Sequence, residues 1–350
     1  MARRAPEPVA GLAAVNPLNQ WKETVLVHSS RRLLRGVALS LVVGLAVAAC
    51  GGQKVGGSEG SGSGSAAVKP CGTVNLAMNA WVGYTADGAV LTQVLKDKFN
   101  CTVVQKNLDE QVSWQGFGTG QIDVIMENWG HEDLAKKYIT EQKVAVDFGP
   151  TKNTGYIGWY VPPWMATQYP DITKWENLNK YADLFKTSES GGKGQLLDGD
   201  PSFVTNDAAL VTNLKLNYKV VYAGSETALI QAFRTGEAQH KAVLGYFYEP
   251  QWLFSELKLV RVALPPYTPG CDADAAKVAC GYPDYTLNKV VSAKFAESGS
   301  PAVAVVKNFA WSNDDQNAVA RDIAAQNMKP EDAAKKWLDA NPDKWKAWLG

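Results

Sequence analysis

Aromatic side chains close to the ends of predicted strands are the residues of this chain best suited to chemistry. Trp81 and Trp129 each follow a predicted strand, Trp159 lies near the end of a third, and Tyr248 comes just after a fourth. Because the carboxyl ends of strands line the ligand clefts of α/β folds, these rings can meet around one cleft. Ring faces attract a quaternary ammonium group, which is positively charged but has no N–H to donate. Aromatic rings gathered at strand ends therefore indicate a cleft for a methylated ammonium compound.

Most of the other aromatic residues are assigned to packing. The chain holds twelve tryptophans, and a single tryptophan is more often part of a core than of a binding site. Tyr160 and Phe247 would face the cleft if the strand register differed by one, because successive strand side chains point to opposite faces. The tryptophans assigned to cores are Trp114, Trp164, Trp175, Trp252, Trp311, Trp337, Trp345 and Trp348.

The chain lacks the usual motifs of metal-dependent and nucleotide-binding enzymes. A string similar to HExxH begins at His131, but Ala135 stands where the second histidine would be. The glycines of residues 116–120 lack the third glycine of the dinucleotide-binding fingerprint, and no Walker A string occurs. We therefore expect no enzyme, no metal and no cofactor.

Short apolar runs alternate with helical patterns from residue 71 onward, which is typical of an α/β protein. We predict two α/β lobes, with the chain crossing between them near Ile157–Val161 and Val260–Leu264. Lobe 1 then comprises residues 71–157 and 262–350, and lobe 2 comprises residues 158–261. The predicted strands are Thr73–Met78, Thr102–Gln105, Ile122–Met126, Tyr156–Val161, Ala242–Tyr246, Leu257–Leu264 and Tyr285–Val291. The predicted helices include Asp87–Phe99, Gln111–Phe117, Glu132–Thr140, Ile172–Phe185, Asn206–Leu216, Glu226–Gly236 and most of the chain after Pro301.

The N-terminal region reads as an export signal followed by a tether. A basic cluster at 31–35 precedes an apolar stretch of 14 residues, Gly36 to Ala49, which is too short to span a bilayer as a mature helix. The end of this stretch resembles the lipobox of bacterial lipoproteins, in which Cys50 would be acylated. The alternative is an ordinary cleaved signal with an incidental cysteine. We predict a signal segment with an N-terminal extension at 1–49, and a modified Cys50 with a flexible Gly/Ser linker at 50–70.

Charge and length limit the remaining possibilities. Without residues 1–49 the chain carries 29 basic and 33 acidic residues, a net charge of −4, which gives no electrostatic reason to bind nucleic acid. Residues 71–350 are enough for a large core or two lobes, and they contain no second apolar run that could cross a membrane. We expect a monomer on the extracytoplasmic face of the cell membrane.

Four cysteines follow Cys50, and an even number outside the cytoplasm indicates disulfides. Three pairings are possible, and we favour Cys71–Cys101 together with Cys271–Cys280. The first two cysteines each precede a predicted strand, and parallel neighbouring strands start at the same sheet edge. The last two would close a short loop. Zinc is the competing interpretation, but the spacing is not CxxC and no histidine is near.

Four segments resemble the substrate-binding proteins of ABC importers for glycine betaine, choline and proline betaine. They are AWVGYTADGAV at 80–90, TGQIDVIMENWG at 119–130, GYIGWYVPPW at 155–164 and YFYEPQW at 246–252. The resemblance implies a bilobal, periplasmic-binding-protein-like fold of type II that closes on its ligand. It also implies an aromatic box of Trp81, Trp129, Trp159 and Tyr248 and an ABC permease as partner.

Two departures from the family pattern bear on the ligand. Phe247 and Tyr248 precede the proline of the last segment, where the family usually has tryptophans. Choline-binding members resemble one another in an acidic residue two positions after the first box tryptophan, whereas this chain has Gly83. A betaine-like zwitterion is therefore favoured over choline. Its carboxylate would need donors, for which backbone N–H groups, Asn206 and His131 are candidates.

The sequence thus predicts a lipid-anchored solute-binding protein of an ABC importer that takes glycine betaine or a related quaternary ammonium compound. One alternative is the same fold binding choline, carnitine or an amino acid. The other is a secreted, lipid-anchored hydrolase, against which the lack of a recognisable nucleophile–histidine set argues.

Overall fold

The computed structural model describes residues 70–350 of the chain. The predicted signal segment, the modified Cys50 and the Gly/Ser linker up to residue 69 lie outside the described residues. Between residues 70 and 350, no helix combines the length and the apolar character needed to cross a membrane.

Nine strands form one mixed sheet. Its strand order is β2-β1-β3-β9-β4-β7-β5-β6, and β8 pairs with β4 off this path. The pairs β1–β2, β1–β3, β5–β6 and β5–β7 are parallel, whereas β4 and β9 run antiparallel to their neighbours. The strands are β1 Thr73–Met78, β2 Thr102–Asn107, β3 Val124–Asn128, β4 Ala145–Val161, β5 Gly194–Asp198, β6 Tyr218–Tyr222, β7 Gly245–Glu249, β8 Val260–Val262 and β9 Asp284–Ser292.

Strand β4 joins the two halves of this sheet. From Ala145 to Tyr156 it pairs with β9, and from Tyr156 to Val161 it pairs with β7 and β8. We call β1, β2, β3 and β9 the first half, and β5, β6, β7 and β8 the second half. The predicted crossing at Ile157–Val161 lies within β4, while the chain returns to the first half between β8 and β9. The lobe boundaries at 157/158 and 261/262 remain predictions.

Helices pack around the sheet, and their ends follow local sequence rules. α2 stops where Gly120 adopts a left-handed conformation (φ 69°), and α7 starts behind Ser225, whose Oγ accepts the Ala228 N–H at 3.2 Å. Helix boundaries are α1 Val82–Phe99, α2 Glu110–Thr119, α3 Glu132–Ala135, α4 Pro163–Gln168, α5 Leu178–Tyr181, α6 Asp207–Asn213, α7 Glu226–Ala238, α8 Ala293–Ala296, α9 Pro301–Asn308, α10 Asn313–Ala324, α11 Pro330–Ala340 and α12 Pro342–Lys346.

The predicted helix at Ile172–Phe185 is wrong. This segment consists of short 3-10 turns around the four-residue α5. The Trp175 N–H donates to the Ala263 carbonyl at 3.0 Å, and the Ala263 N–H donates to Thr173 at 2.7 Å. These long-range backbone bonds hold Lys174 in an extended conformation, so an uninterrupted helix cannot form.

Both predicted disulfides are confirmed. Cys71–Cys101 precedes the neighbouring parallel strands β1 and β2, in which Thr73 is in register with Thr102. Cys271–Cys280 closes the loop between β8 and β9. The first disulfide therefore fixes the edge of the first half, and the second fixes the loop that leads back to it.

Candidate functional site

A cavity lies at the junction of the two halves of the sheet. It holds about 410 Å³ of empty space, counting open solvent at its mouth. Six of the ten side chains that line it are aromatic. The lining residues are Trp81, Glu110, Trp129, His131, Ile157, Phe203, Val204, Tyr246, Tyr248 and Tyr285.

Two tryptophans of the first half are held by one buried carboxylate. Trp81 stands between β1 and α1, and Trp129 follows β3 directly. Their indole Nε1 atoms donate to the same Oε2 atom of Glu127, at 2.7 Å from Trp81 and 3.1 Å from Trp129. At Gly155 a Cβ would lie 2.6 Å from the Trp129 ring, so the glycine makes room for that ring. The shared carboxylate thereby orients both indoles, and both rings line the cavity.

A buried polar network supports Glu127 from behind. The Gln316 Nε2 donates to Glu127 Oε1 and also approaches Asp87 Oδ2 at 3.3 Å. Burial raises the pKa of Asp87 well above its ordinary value, and the neighbouring Glu127 charge raises it further. Glu127 itself accepts three donors, the indole N–H groups of Trp81 and Trp129 and the Nε2 of Gln316.

The second half of the sheet supplies tyrosines from β7. Tyr246 and Tyr248 are two residues apart and point to the same face, on which Ile157 of β4 lies opposite Tyr248. The Tyr248 ring centroid is 5.8 Å from that of Trp129, at an interplanar angle of 85°. Rings of the two halves thus meet edge to face at the cavity.

Loop and edge residues complete the ring of aromatics. Phe203, in the loop after β5, has its ring centroid 5.8 Å from Trp81 and 6.4 Å from Tyr248. Tyr285, at the start of β9, lies 5.6 Å from Trp129. The cavity is therefore surrounded by aromatic rings that come from both halves.

An ion pair forms the polar wall of the cavity. The His131 Nε2 lies 3.0 Å from Glu110 Oε2, and both side chains are largely buried. Burial alone lowers the pKa of His131, but the hydrogen bond and charge of Glu110 outweigh it, so the net shift is upward. Of the described residues that line the cavity, none is Lys or Arg.

The structure brings four of the six predicted ligand-binding residues together. Trp81, Trp129, His131 and Tyr248 line one cavity, whereas Trp159 and Asn206 do not. Trp159 lies on the same face of β4 as Ile157, but it is completely buried and its Nε1 donates to Asp207 Oδ1 at 2.9 Å. The backbone N–H of Asn206 donates to the Tyr282 hydroxyl at 2.7 Å.

Four further aromatic or charged residues of the cavity were not found from the sequence. Phe203 and Glu110 lie outside any strand, and Tyr285 begins one. Tyr246 was placed at the end of a predicted strand rather than inside it. Tyr160 and Phe247, which would face the cleft only if the strand register differed by one, point to the opposite face. There the centroids of the two rings are 6.3 Å apart.

This arrangement can hold a compact cation. Each ring face contributes roughly 0.5–2 kcal/mol to a desolvated cation. A methylated ammonium group suits the site because its surface is apolar while its charge is spread over the methyl groups. The polar end of such a compound would face the tyrosine hydroxyls and the Glu110–His131 pair.

Comparison with known proteins agrees with this chemistry. Residues 72–340 match the family model for the substrate binding domain of ABC-type glycine betaine transport systems. The trimethylamine N-oxide-binding protein of Pelagibacter ubique (strain HTCC1062) is 28% identical over 253 residues, covering 68% of this chain and 79% of that protein.

Two solved structures share the fold. Lactococcal OpuAC, in its closed-liganded conformation with glycine betaine, has a TM-score of 0.63 at 24% identity and covers 79% of this chain and 99% of that one. An ABC-transporter choline-binding protein in complex with choline has a TM-score of 0.65 at 19% identity and covers 80% and 92%. At these identities the likeness shows the fold alone, and it confirms the predicted α/β, type II periplasmic-binding-protein architecture.

Proposed function

We propose that this chain captures a small methylated ammonium compound for uptake. The premise is that the chain belongs to the family of substrate-binding domains of ABC-type glycine betaine transport systems. Members of this family bind solutes outside the cytoplasm for ABC importers and are not enzymes, so the hydrolase alternative no longer applies. The ligands named for its relatives, glycine betaine, choline and trimethylamine N-oxide, all carry a nitrogen with three methyl groups.

The observation that carries this proposal is the ring of aromatic side chains around one cavity. Trp81 and Trp129 approach from the first half of the sheet, and Tyr246 and Tyr248 from the second. We infer that these rings form the aromatic box, with Phe203 and Tyr285 beside them. Trp159 and Asn206 are left out of the proposed site. The Trp159 indole binds Asp207 and the Asn206 backbone N–H binds the Tyr282 hydroxyl, and neither residue lines the cavity.

Transport would follow from closure of the two halves around the ligand. A ligand that touches both halves only in the closed form shifts the population towards that form. The closed protein, acting as a monomer, would then dock on an ABC permease, and ATP hydrolysis on other subunits would drive import. Uptake of this solute would serve osmoprotection or nutrition.

Anchoring through Cys50 is the second part of the proposal. The apolar stretch and small residues before Cys50, and the Gly/Ser-rich segment after it, support a lipid-modified N-terminus on a flexible tether. Membrane fractionation of cells expressing the full chain tests this. We expect the protein in the membrane fraction, and Cys50→Ala in the soluble extracytoplasmic fraction. Equal membrane association of both would exclude anchoring through Cys50.

Calorimetric titration tests the binding function. The purified protein is titrated with glycine betaine, choline, trimethylamine N-oxide, carnitine and an amino acid such as proline. Trp129→Ala should weaken binding by about tenfold or more, because one face of the box is lost. Trp175→Ala is the matched control, since Trp175 is a half-buried tryptophan that does not line the cavity.

The outcomes separate the alternatives clearly. Binding of a methylated ammonium compound that depends on Trp129 but not on Trp175 supports the proposal. Binding of an unmethylated amino acid alone, or no binding of any compound in the panel, would refute it.

A further inference from the structure

Three carboxylates surround the cavity, and they bear on which methylated compound it takes. Glu110 lines the cavity directly. Glu127 binds the indole N–H groups of two lining tryptophans, and Glu226 accepts a hydrogen bond from the hydroxyl of the lining Tyr248. His131 is the one basic side chain among the described residues that line the cavity, and it is paired with Glu110.

Glu226 reaches from the second half to the first half of the sheet. It is the first residue of α7, it is 8% exposed, and its Oε2 accepts the backbone N–H of Val82 at 2.9 Å. Its Oε1 accepts the hydroxyl of Tyr248 and the Nε2 of Gln251, the latter at 2.6 Å. Burial raises the pKa of Glu226, and these three donors offset that rise only in part, so the net shift is upward.

Val82 is the first residue of the 18-residue helix α1, directly after Trp81. Exposed N–H groups and the helix dipole make such an end attractive for an anion. The first turn of α1, all of which is described, contains no acidic residue of its own. Glu226 therefore occupies, from the opposite half, the anion-binding position at the start of α1, directly after Trp81.

The neighbouring Gly83 belongs to the same arrangement. A Cβ at Gly83 would lie 2.9 Å from Gln316 Nε2, which is bonded to Glu127. An acidic side chain at this position would therefore displace Gln316 from Glu127. The absence of an acidic residue at 83 does not leave this region without carboxyl groups, because Glu127 binds the Trp81 indole and Glu226 binds the backbone N–H of Val82.

We propose that the site selects choline, whose polar end is a neutral hydroxyl, over glycine betaine and other betaines, whose polar end is a carboxylate. Glu226 and Glu110 are the residues that determine this selectivity. The inference rests on the proposed function, and it reverses the preference for a betaine-like zwitterion that Gly83 indicated in the sequence. Like charges placed close together in a site weaken binding strongly, whereas the trimethylammonium head is common to both kinds of ligand.

The test compares choline with glycine betaine, which share the same head and differ in a hydroxyl against a carboxylate. Trimethylamine N-oxide is the third ligand. By calorimetry we expect the wild-type protein to bind choline at least about tenfold more tightly than glycine betaine. Glu226→Gln keeps the size and an acceptor for Val82 but removes the charge. It should shift the choline-to-betaine affinity ratio towards betaine by roughly fivefold or more.

Matched variants separate the effect of removing a charge on ligand selectivity from a general disturbance of the fold. Glu237→Gln is the control, because Glu237 is also on α7 but binds the backbone N–H of Trp164 away from the cavity. The choline-to-betaine affinity ratio of this variant should equal that of the wild type. Glu110→Gln, at the cavity wall, should shift the ratio in the same direction as Glu226→Gln. It also provides the test if Glu226→Gln does not fold.

The result that overturns this inference is tighter binding of glycine betaine than of choline by the wild-type protein. In that case the proposed function still stands. If none of the three compounds binds, the proposed function fails and this inference fails with it. An unchanged ratio in folded Glu226→Gln and Glu110→Gln would show that these residues do not set the selectivity.

Discussion

Glu127 is the residue on which the geometry of the aromatic box depends most. Its side chain is 2% exposed, and one of its oxygens receives the N–H groups of both Trp81 and Trp129. A tryptophan can donate only one such hydrogen bond, so this contact fixes the in-plane orientation of each ring. The carboxylate also lies at the N–H edges of both rings, where negative charge favours a cation in the cavity that they line.

Removing the Glu127 side chain should therefore weaken ligand binding. Glu127→Ala is expected to lower affinity for the bound methylated ammonium compound by roughly tenfold to a hundredfold, because two rings lose their orientation. Glu127→Gln should lose less, since its amide oxygen still accepts both indoles. Calorimetry measures the affinities, and circular dichroism checks folding. Unchanged affinity in folded Glu127→Ala, with Glu132→Ala of the nearby α3 as control, would contradict this role.

Single residues of the site differ in how far the sequence could reveal them. Trp81 and Trp129 could be found because each stands within three residues of a strand end. Trp159 lies on the same face of β4 as Ile157, which lines the cavity, but Asp207 binds its indole. No local sequence pattern predicts that contact. Phe203 and Tyr246 reach the cavity through a loop path and a strand register that only tertiary packing determines.

Among the elements, local patterns predicted strands with a clear apolar run, such as β1 and β3. β1 occupies the predicted Thr73–Met78, because its apolar run is bounded on both sides. In contrast, only the second part of β4 was predicted. Its first part, from Ala145, pairs with β9 across irregular positions around Gly149 and Pro150, and a strand interrupted in this way lacks regular alternation. The short strands β5 and β6 were not predicted, because their sequences lack a regular alternation of apolar and polar residues.

The contact between β4 and α6 predicts a pH dependence of stability. Burial, and then the charge of Asp198, raise the pKa of Asp207 to about 8. Folded protein therefore holds a proton that the unfolded chain releases above its ordinary pKa near 3.8. The stability that this provides is complete below the unfolded pKa and is lost as pH rises towards 8. Between pH 5 and 8 the loss is at most about 1.4 kcal/mol per pH unit.

Asp207→Asn should flatten this dependence, because asparagine stays neutral and still accepts from Trp159 and Tyr282 at its oxygen. Urea unfolding at pH 5, 6, 7 and 8 measures the free energy of unfolding of both proteins. Asp183→Asn, an exposed change in a 3-10 turn, serves as the control and should follow the wild type. Parallel stability–pH curves for the wild type and Asp207→Asn would rule out a raised Asp207 pKa.

Over the whole molecule, the two halves of the sheet already touch beside the cavity. Glu226 binds the start of α1, and the rings of Phe203 and Trp81 pack edge to face. Two side chains that line the cavity, Phe203 and Trp81, thus also join the halves. A ligand seated between them adds contacts to both, so its binding energy and the cohesion of the closed form are coupled.

Ligand should consequently stabilise the entire described body in a single step rather than one half of it. At a free ligand concentration a hundred times the dissociation constant, the free energy of unfolding should rise by about 2.7 kcal/mol. Calorimetric melting measures this shift, and small-angle X-ray scattering should show a smaller radius of gyration with ligand present. Trp129→Ala should lose both effects at the same ligand concentration, because its box is incomplete. If ligand shifted only part of the melting transition, or bound without compaction, the two halves would not close on it together.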